Sequence, residues 1–138
     1  MTEAEIKTLI KEALIAKEYA YVPYSNFRVG AALLTTGGKI YRGCNIENAA
    51  YSPSNCAERT AFFKAVSEGE KSFQAIAVTG GDKNKEGEYC PPCGVCRQVM
   101  AEFCNPDTFL VIFANSENDY KIYTLNDILP FNFNKSNL

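Results

Sequence analysis

The sequence contains no histidine. That absence removes a Ser-His-Asp triad, a Cys-His dyad and an H-E-x-x-H zinc site from consideration. Any metal must rest on Cys, Asp or Glu, and any proton shuttle must be a carboxylate, Lys, Tyr or Cys. Long apolar runs are missing too. The longest, Phe109 to Ala114, falls far short of the roughly 20 residues that a membrane-spanning helix needs. Nor is there a basic excess: 14 Lys and Arg stand against 16 Asp and Glu, for a net charge of −2 and a pI near 5.2. This argues against a nucleic-acid partner, whose phosphates want a basic face. The opening Met-Thr-Glu-Ala-Glu lacks the basic-then-apolar order of an export signal. A cytoplasmic location with no membrane partner is therefore expected. The 138 residues are expected to form one domain spanning 1–138, at roughly 100–200 residues per domain.

What is present has a clear order. Thr2-Glu3-Ala4-Glu5 fits a capping box, and Ile6, Leu9, Ile10, Ala13 and Leu14 follow at helical spacing. This first helix must end before Pro23. Arg28 to Thr35 and Lys39 to Cys44 flank Thr36-Gly37-Gly38 and read as a β-hairpin. An irregular stretch, Asn45 to Asn55, precedes a second helix expected from Asn55 or Cys56 to Glu68, with Gly69 as its stop. Phe73 to Thr79 reads as a buried strand, and Gly80 to Pro92 as a solvated polar loop. A third helix is expected to open at Pro92 or Cys93, with Val95, Val99, Met100 and Phe103 on one face. Strands at Thr108 to Ala114 and Tyr120 to Tyr123, and a short helix at Asn126 to Leu129, complete the chain. The expected class is α/β: a mixed five-stranded sheet sandwiched by helices in three layers.

The six cysteines read better as metal ligands in a reducing compartment than as a disulfide framework, because Cys90, Cys93 and Cys96 are spaced three apart. Cys56 stands where the second helix begins, and Cys93 and Cys96 where the third begins. A helix start carries unpaired N–H groups and partial positive charge, which favour thiolate over thiol. Two facing helix starts would bring three thiolates to one point. Three protein ligands leave zinc a position for water, the catalytic arrangement, whereas four close it. Cys90 is the available fourth thiolate, which would give a closed structural site. Cys44 and Cys104 read as small buried apolar residues. Glu58, two residues past Cys56, is placed to act on that water as general acid and base. Three thiolates around Zn²⁺ sum to −1, and Arg59 is the nearest counterweight, supporting the metal from outside its ligand set.

Cys56-Ala57-Glu58 followed by Pro92-Cys93-Gly94-Val95-Cys96 resembles the signature of zinc deaminases. With Gly43-Cys44-Asn45-Ile46-Glu47-Asn48-Ala49, Cys56 to Thr60, and Pro92 to Gln98, the chain resembles the small homotetrameric cytidine deaminases. Tyr24 to Ala32 also matches, except that Arg28 stands where Pro is usual. The resemblance implies one zinc per chain and hydrolytic deamination of cytidine and deoxycytidine to uridine and deoxyuridine in pyrimidine salvage. In that reading a zinc-bound hydroxide attacks C4, and Glu58 moves protons from water to N3 and to the departing amine. The resemblance further implies that Phe27 stacks on the pyrimidine, that Asn45 and Glu47 bond the ribose 3′-hydroxyl, and that the backbone at Ala57 touches the base. It implies a homotetramer in which Phe133 reaches into a neighbouring subunit's site. Arg97 and Gln98 are expected to tie the third helix to the loop at Asn48 to Ser52. Two alternatives stay open: a deaminase of antibiotic nucleosides or of cytosine in nucleic acid, and a zinc-binding module without turnover. Asn45 and Glu47 favour the sugar of a free nucleoside over the first, and Glu58 argues against the second.

Overall fold

The computed structural model describes residues 1–82 and 84–138. Helix α1 spans Glu3–Lys17, with Thr2 and Glu5 closing its capping box as expected. Strands β1 (Val29–Thr35) and β2 (Ile40–Cys44) form the antiparallel hairpin. Helix α2 (Ala57–Ser67) is followed by Gly69 at φ +93, a left-handed turn that glycine adopts freely. Strand β3 (Phe73–Gly80), helix α3 (Gly94–Phe103), strands β4 (Leu110–Ser116) and β5 (Asp119–Thr124), and the short helix α4 (Leu125–Ile128) follow. A last 3₁₀ turn, Lys135–Asn137, lies in the tail.

The five strands form one mixed sheet in the order β2-β1-β3-β4-β5. Only β3 and β4 run parallel. A parallel pair needs a crossover, and α3 supplies it. α1 covers one face, burying Leu9, Ile10 and Ala13 against Ala32, Ala75 and Ile112. α2 and α3 cover the other, where Phe62 packs among Phe73, Phe103 and Phe109 at centroid distances of 5.1, 6.2 and 6.1 Å. The three-layer α/β class read from the sequence is the observed one.

Three details differ from the sequence reading. α3 begins at Gly94, because Cys93 is its N-cap in extended backbone. Met100 is buried and Val99 and Phe103 pack against the core as expected, but Cys96 and Ala101 are also buried while Val95 is exposed; a thiol at Cys96 turned inward rotates Val95 out to solvent. The loop from Gly80 to Pro92, apart from Lys83, which lies outside the described residues, is exposed over 84–88 but pinned. Tyr89 donates to Asp119 Oδ1 at 2.6 Å, and Asn115 Nδ2 donates to Glu88 O at 2.9 Å.

Candidate active site

The site forms where the starts of α2 and α3 meet under the sheet. The irregular stretch before α2 is held by paired backbone bonds between Ile46 and Asn55, at 3.0 and 2.9 Å. Asn55 then reaches Thr60 at 3.3 Å, which anchors the first turn of α2. That turn lies directly on β2. A Cβ on Gly43 would sit 2.3 Å from Ala57 O and 2.5 Å from Ala61 N, so only glycine permits this approach.

Cys56 is the N-cap of α2 and has no side-chain capping bond, so its thiol is free to face the other helix. Cys93 caps α3 and accepts from Cys96 N at 3.4 Å. The sulfurs of Cys56 and Cys93 are 3.7 Å apart, and those of Cys56, Cys93 and Cys96 all lie within 4.8 Å of one another. A tetrahedral zinc with bonds of about 2.3 Å has sulfur–sulfur edges of about 3.8 Å, so the cluster already has the spacing the ion needs. Among the described residues this is the one group of ligating side chains gathered in this way. Cys90 is outside it, which leaves a fourth ligand position open. Burial pushes the Cys90 thiol up to about 11. Cys104 is buried, and burial raises its thiol and that of half-buried Cys44 as well.

The electrostatics favour the anionic form at Cys56. A hydrogen bond from Cys96 draws the Cys56 thiol down to about 5 against the opposing effect of burial, and Arg59 and Cys93 lower it further. Cys96 as the donor is held up correspondingly. Arg59 Nη2 donates to Cys56 Sγ at 3.2 Å, and this contact raises the guanidinium's own proton affinity. Arg59 Nε is buried without a hydrogen-bond partner among the described residues. Glu58 is 3% exposed. Burial, supported by the charge of Cys56, lifts its carboxyl from 4.5 to about 7.

Cys56, Cys93, Glu58, Ala57, Asn45 and Cys90 share the walls of one pocket of about 150 Å³. Phe27, on the loop before β1, and Glu47, on the loop after β2, do not line it, and Phe27 is 45% exposed. Glu47 accepts from the Tyr24 and Ser25 backbone at 3.0 and 3.1 Å and from the Ser25 hydroxyl. Asn45 donates to Phe27 O at 2.8 Å and accepts from Val29 N at 2.9 Å. Each keeps spare capacity, since a carboxylate has about four acceptor sites and an amide two donors and two lone pairs. Ser25 was not singled out from the sequence, although its hydroxyl also accepts from Phe27 N at 3.0 Å. A serine two residues before Phe27, the usual ST-turn spacing, was the available signal. Phe133 is 62% exposed and is not part of this pocket. Arg97 and Gln98 do not reach Asn48 to Ser52. Arg97 bonds the carbonyls of Pro92 and Ile128, and Gln98 that of Phe133, because their side chains point from α3 toward α4 and the tail.

Fold and site together define an enzyme class: a zinc hydrolase, with three clustered cysteines that could hold the ion and a buried carboxyl beside them. The family model described as the cytidine and deoxycytidylate deaminase zinc-binding region matches residues 3–112. A cytidine deaminase of Sporosarcina psychrophila is 54% identical over 97% of this chain and 95% of its own. One from Halalkalibacterium halodurans is 55% identical over 88% and 89%. The crystal structure of cytidine deaminase from Burkholderia pseudomallei superposes with a TM-score of 0.84 at 47% identity, covering 96% of this chain and all of that one. The chain belongs to the cytidine deaminase family.

Proposed function

We propose that this single catalytic domain hydrolyses cytidine and deoxycytidine to uridine and deoxyuridine with release of ammonia, and that Glu58 carries the protons. The observation that bears most weight is a carboxyl 3% exposed, beside three clustered thiols, with its proton affinity raised to about 7. Zinc held by Cys56, Cys93 and Cys96 supplies Lewis-acid activation of water. Glu58 takes a proton from the attacking water and delivers it to N3 of the pyrimidine as oxygen bonds to C4. It then passes the second proton to the exocyclic nitrogen, the C4–N4 bond breaks, and ammonia leaves. A group with affinity near neutrality serves both directions of transfer. Arg59 offsets the negative charge of the thiolates, which otherwise weakens the metal as an electrophile.

Asn45 and Glu47 bond the sugar 3′-hydroxyl with their spare donor and acceptor sites, Ala57 contacts the base through its backbone, and Phe27 stacks on the pyrimidine. None of these contacts addresses the 2′ position, so both sugars are accepted and free cytosine is poor. A pocket of about 150 Å³ is smaller than the roughly 300–1,000 Å³ usual for small-molecule sites, which supports a neighbouring subunit completing the wall. A homotetramer with Phe133 crossing the interface fits this need. Six unpaired cysteines suit a reducing cytoplasm, and no helix among the described residues is long and apolar enough to cross a membrane.

The test is Glu58→Gln. It should keep one zinc per chain and the native fold while kcat for cytidine falls by about 10²–10⁴-fold, followed by ammonia release. Turnover within a few-fold of the unaltered protein would overturn the shuttle. Cytidine, deoxycytidine, cytosine and CMP in the same assay define the substrate.

A further inference from the structure

The chain beyond α4 contributes little to either core, yet it has a definite course. Phe131 is fully exposed, Phe133 is 62% exposed, and Phe131 adopts φ +53, a left-handed backbone that a bulky residue takes up at a cost. Hydrogen bonds hold this shape. Asn132 Nδ2 donates to Leu129 O at 3.1 Å, and Asn134 Nδ2 to Asn132 Oδ1 at 2.6 Å. α3 supplies side-chain ties from the rest of the fold. Arg97 Nη1 donates to Ile128 O at 2.6 Å while its Nε donates to Pro92 O at 2.8 Å. Gln98 Nε2 donates to Phe133 O at 2.8 Å. Pro92 immediately precedes the metal-binding Cys93, so two adjacent residues grip both the approach to the zinc site and the tail.

We propose that Arg97 and Gln98 are positioning residues, a clamp that holds the carbonyls of Ile128 and Phe133 and so presents the Phe133 ring to a neighbouring subunit's site. This rests on the reading of Phe133 given above. A bond to the Phe133 carbonyl fixes the main chain and leaves the ring free to project. Without it a polar C-terminal segment frays, and the ring must be ordered anew each time it closes over a nucleoside. Arg97 sets the starting point of the segment and Gln98 its direction at Phe133. Gln98, unlike Arg97, bonds only the tail and touches neither the cysteine cluster, Glu58 nor the reacting atoms, so its loss acts on binding and leaves the chemical step alone.

Gln98 is exposed, so substitution there spares the core. Gln98→Ala and the near-isosteric Gln98→Glu, which lacks the donor, are each measured alone, and Gln98→Ala also with Phe133→Ala. Both single variants should raise KM for cytidine about fivefold, the weight of one neutral hydrogen bond. Their kcat should stay within twofold, with zinc content and size on gel filtration unchanged. In the Phe133→Ala background, Gln98→Ala should add no further rise, because its effect passes through that ring. Multiplicative KM effects, an unchanged KM in the Gln98 variants, or loss of zinc or assembly in both would overturn the clamp. If Phe133→Ala itself leaves KM unchanged, the role of the aromatic fails and the clamp with it. If Phe133→Ala raises KM and the Gln98 variants do not, only the clamp fails.

Discussion

Individual side chains divide into those whose chemistry is local and those whose partners lie far along the chain. The thiols belong to both: Cys93 and Cys96 share one helix start, while Cys56 lies 37 positions from Cys93. Cys56→Ala, Cys93→Ala and Cys96→Ala should each lose the metal, whereas Cys90→Ser should retain one zinc per chain and activity, checked by metal analysis and turnover. Glu47 belongs to the second kind. The hydroxyl of Ser25, and then the Ser25 and Tyr24 backbone, hold its carboxyl below the ordinary 4.5. Its folded affinity is therefore depressed, and its contribution is present above about pH 4.5 and lost as pH falls through the lower folded value. Ser25→Ala should shrink that acid-side loss, seen as a smaller drop in melting temperature on acidification below pH 4.5; an unaltered pH profile would separate Ser25 from Glu47. The clustering of Cys56, Cys93 and Cys96 is legible in the sequence because C-A-E and C-x-x-C each sit at one helix start. The partners of Arg97 and Gln98 are not, because a long side chain reaches any of several carbonyls and sequence spacing does not choose among them.

At the scale of elements, apolar periodicity together with turn and stop signals located α1, α2, α3 and the five strands among the described residues. Its errors lie at the ends and in rotation. β4 runs on to Ser116 because its pairing with β5 continues to Asp119 through an irregular register, and periodicity carries no trace of that. α3 is rotated so that Cys96 faces inward, a requirement set by the other helix. The close packing of α2 on β2 through Gly43 gives a sharp expectation. Gly43→Ala should cost about 1–3 kcal/mol by overpacking and weaken zinc retention, since the backbone it displaces is that of Ala57, next to Cys56. Gly37→Ala, whose Cβ meets only Thr35 Oγ1 at 3.9 Å, is the control. Denaturant midpoints and zinc competition measure both; equal midpoints for the two would contradict the close approach.

At the scale of the whole molecule, the proposed assembly assigns the exposed Phe133 to another copy, which no single chain's pattern reveals. Two crippled proteins address this: Glu58→Gln lacks the shuttle and Phe133→Ala lacks the cover. Dissociated and reassembled together, they should form hybrids in which an intact Glu58 receives an intact Phe133, so activity exceeds the sum of the separately treated parents. Reassembly without gain would confine Phe133 to its own chain. The zinc site also has a consequence for the molecule entire. Cys56 and Cys93 are 37 positions apart, and in the proposed site an ion joining them would close that loop as a disulfide would, yet reversibly and without redox chemistry. An ion bound only by the folded chain makes its stability depend on free-metal concentration. Above the dissociation constant, each tenfold rise in free zinc adds about 1.4 kcal/mol. The fold's lifetime is thereby tied to metal supply: a competing chelator loosens the seam between α2 and α3 before it touches the sheet.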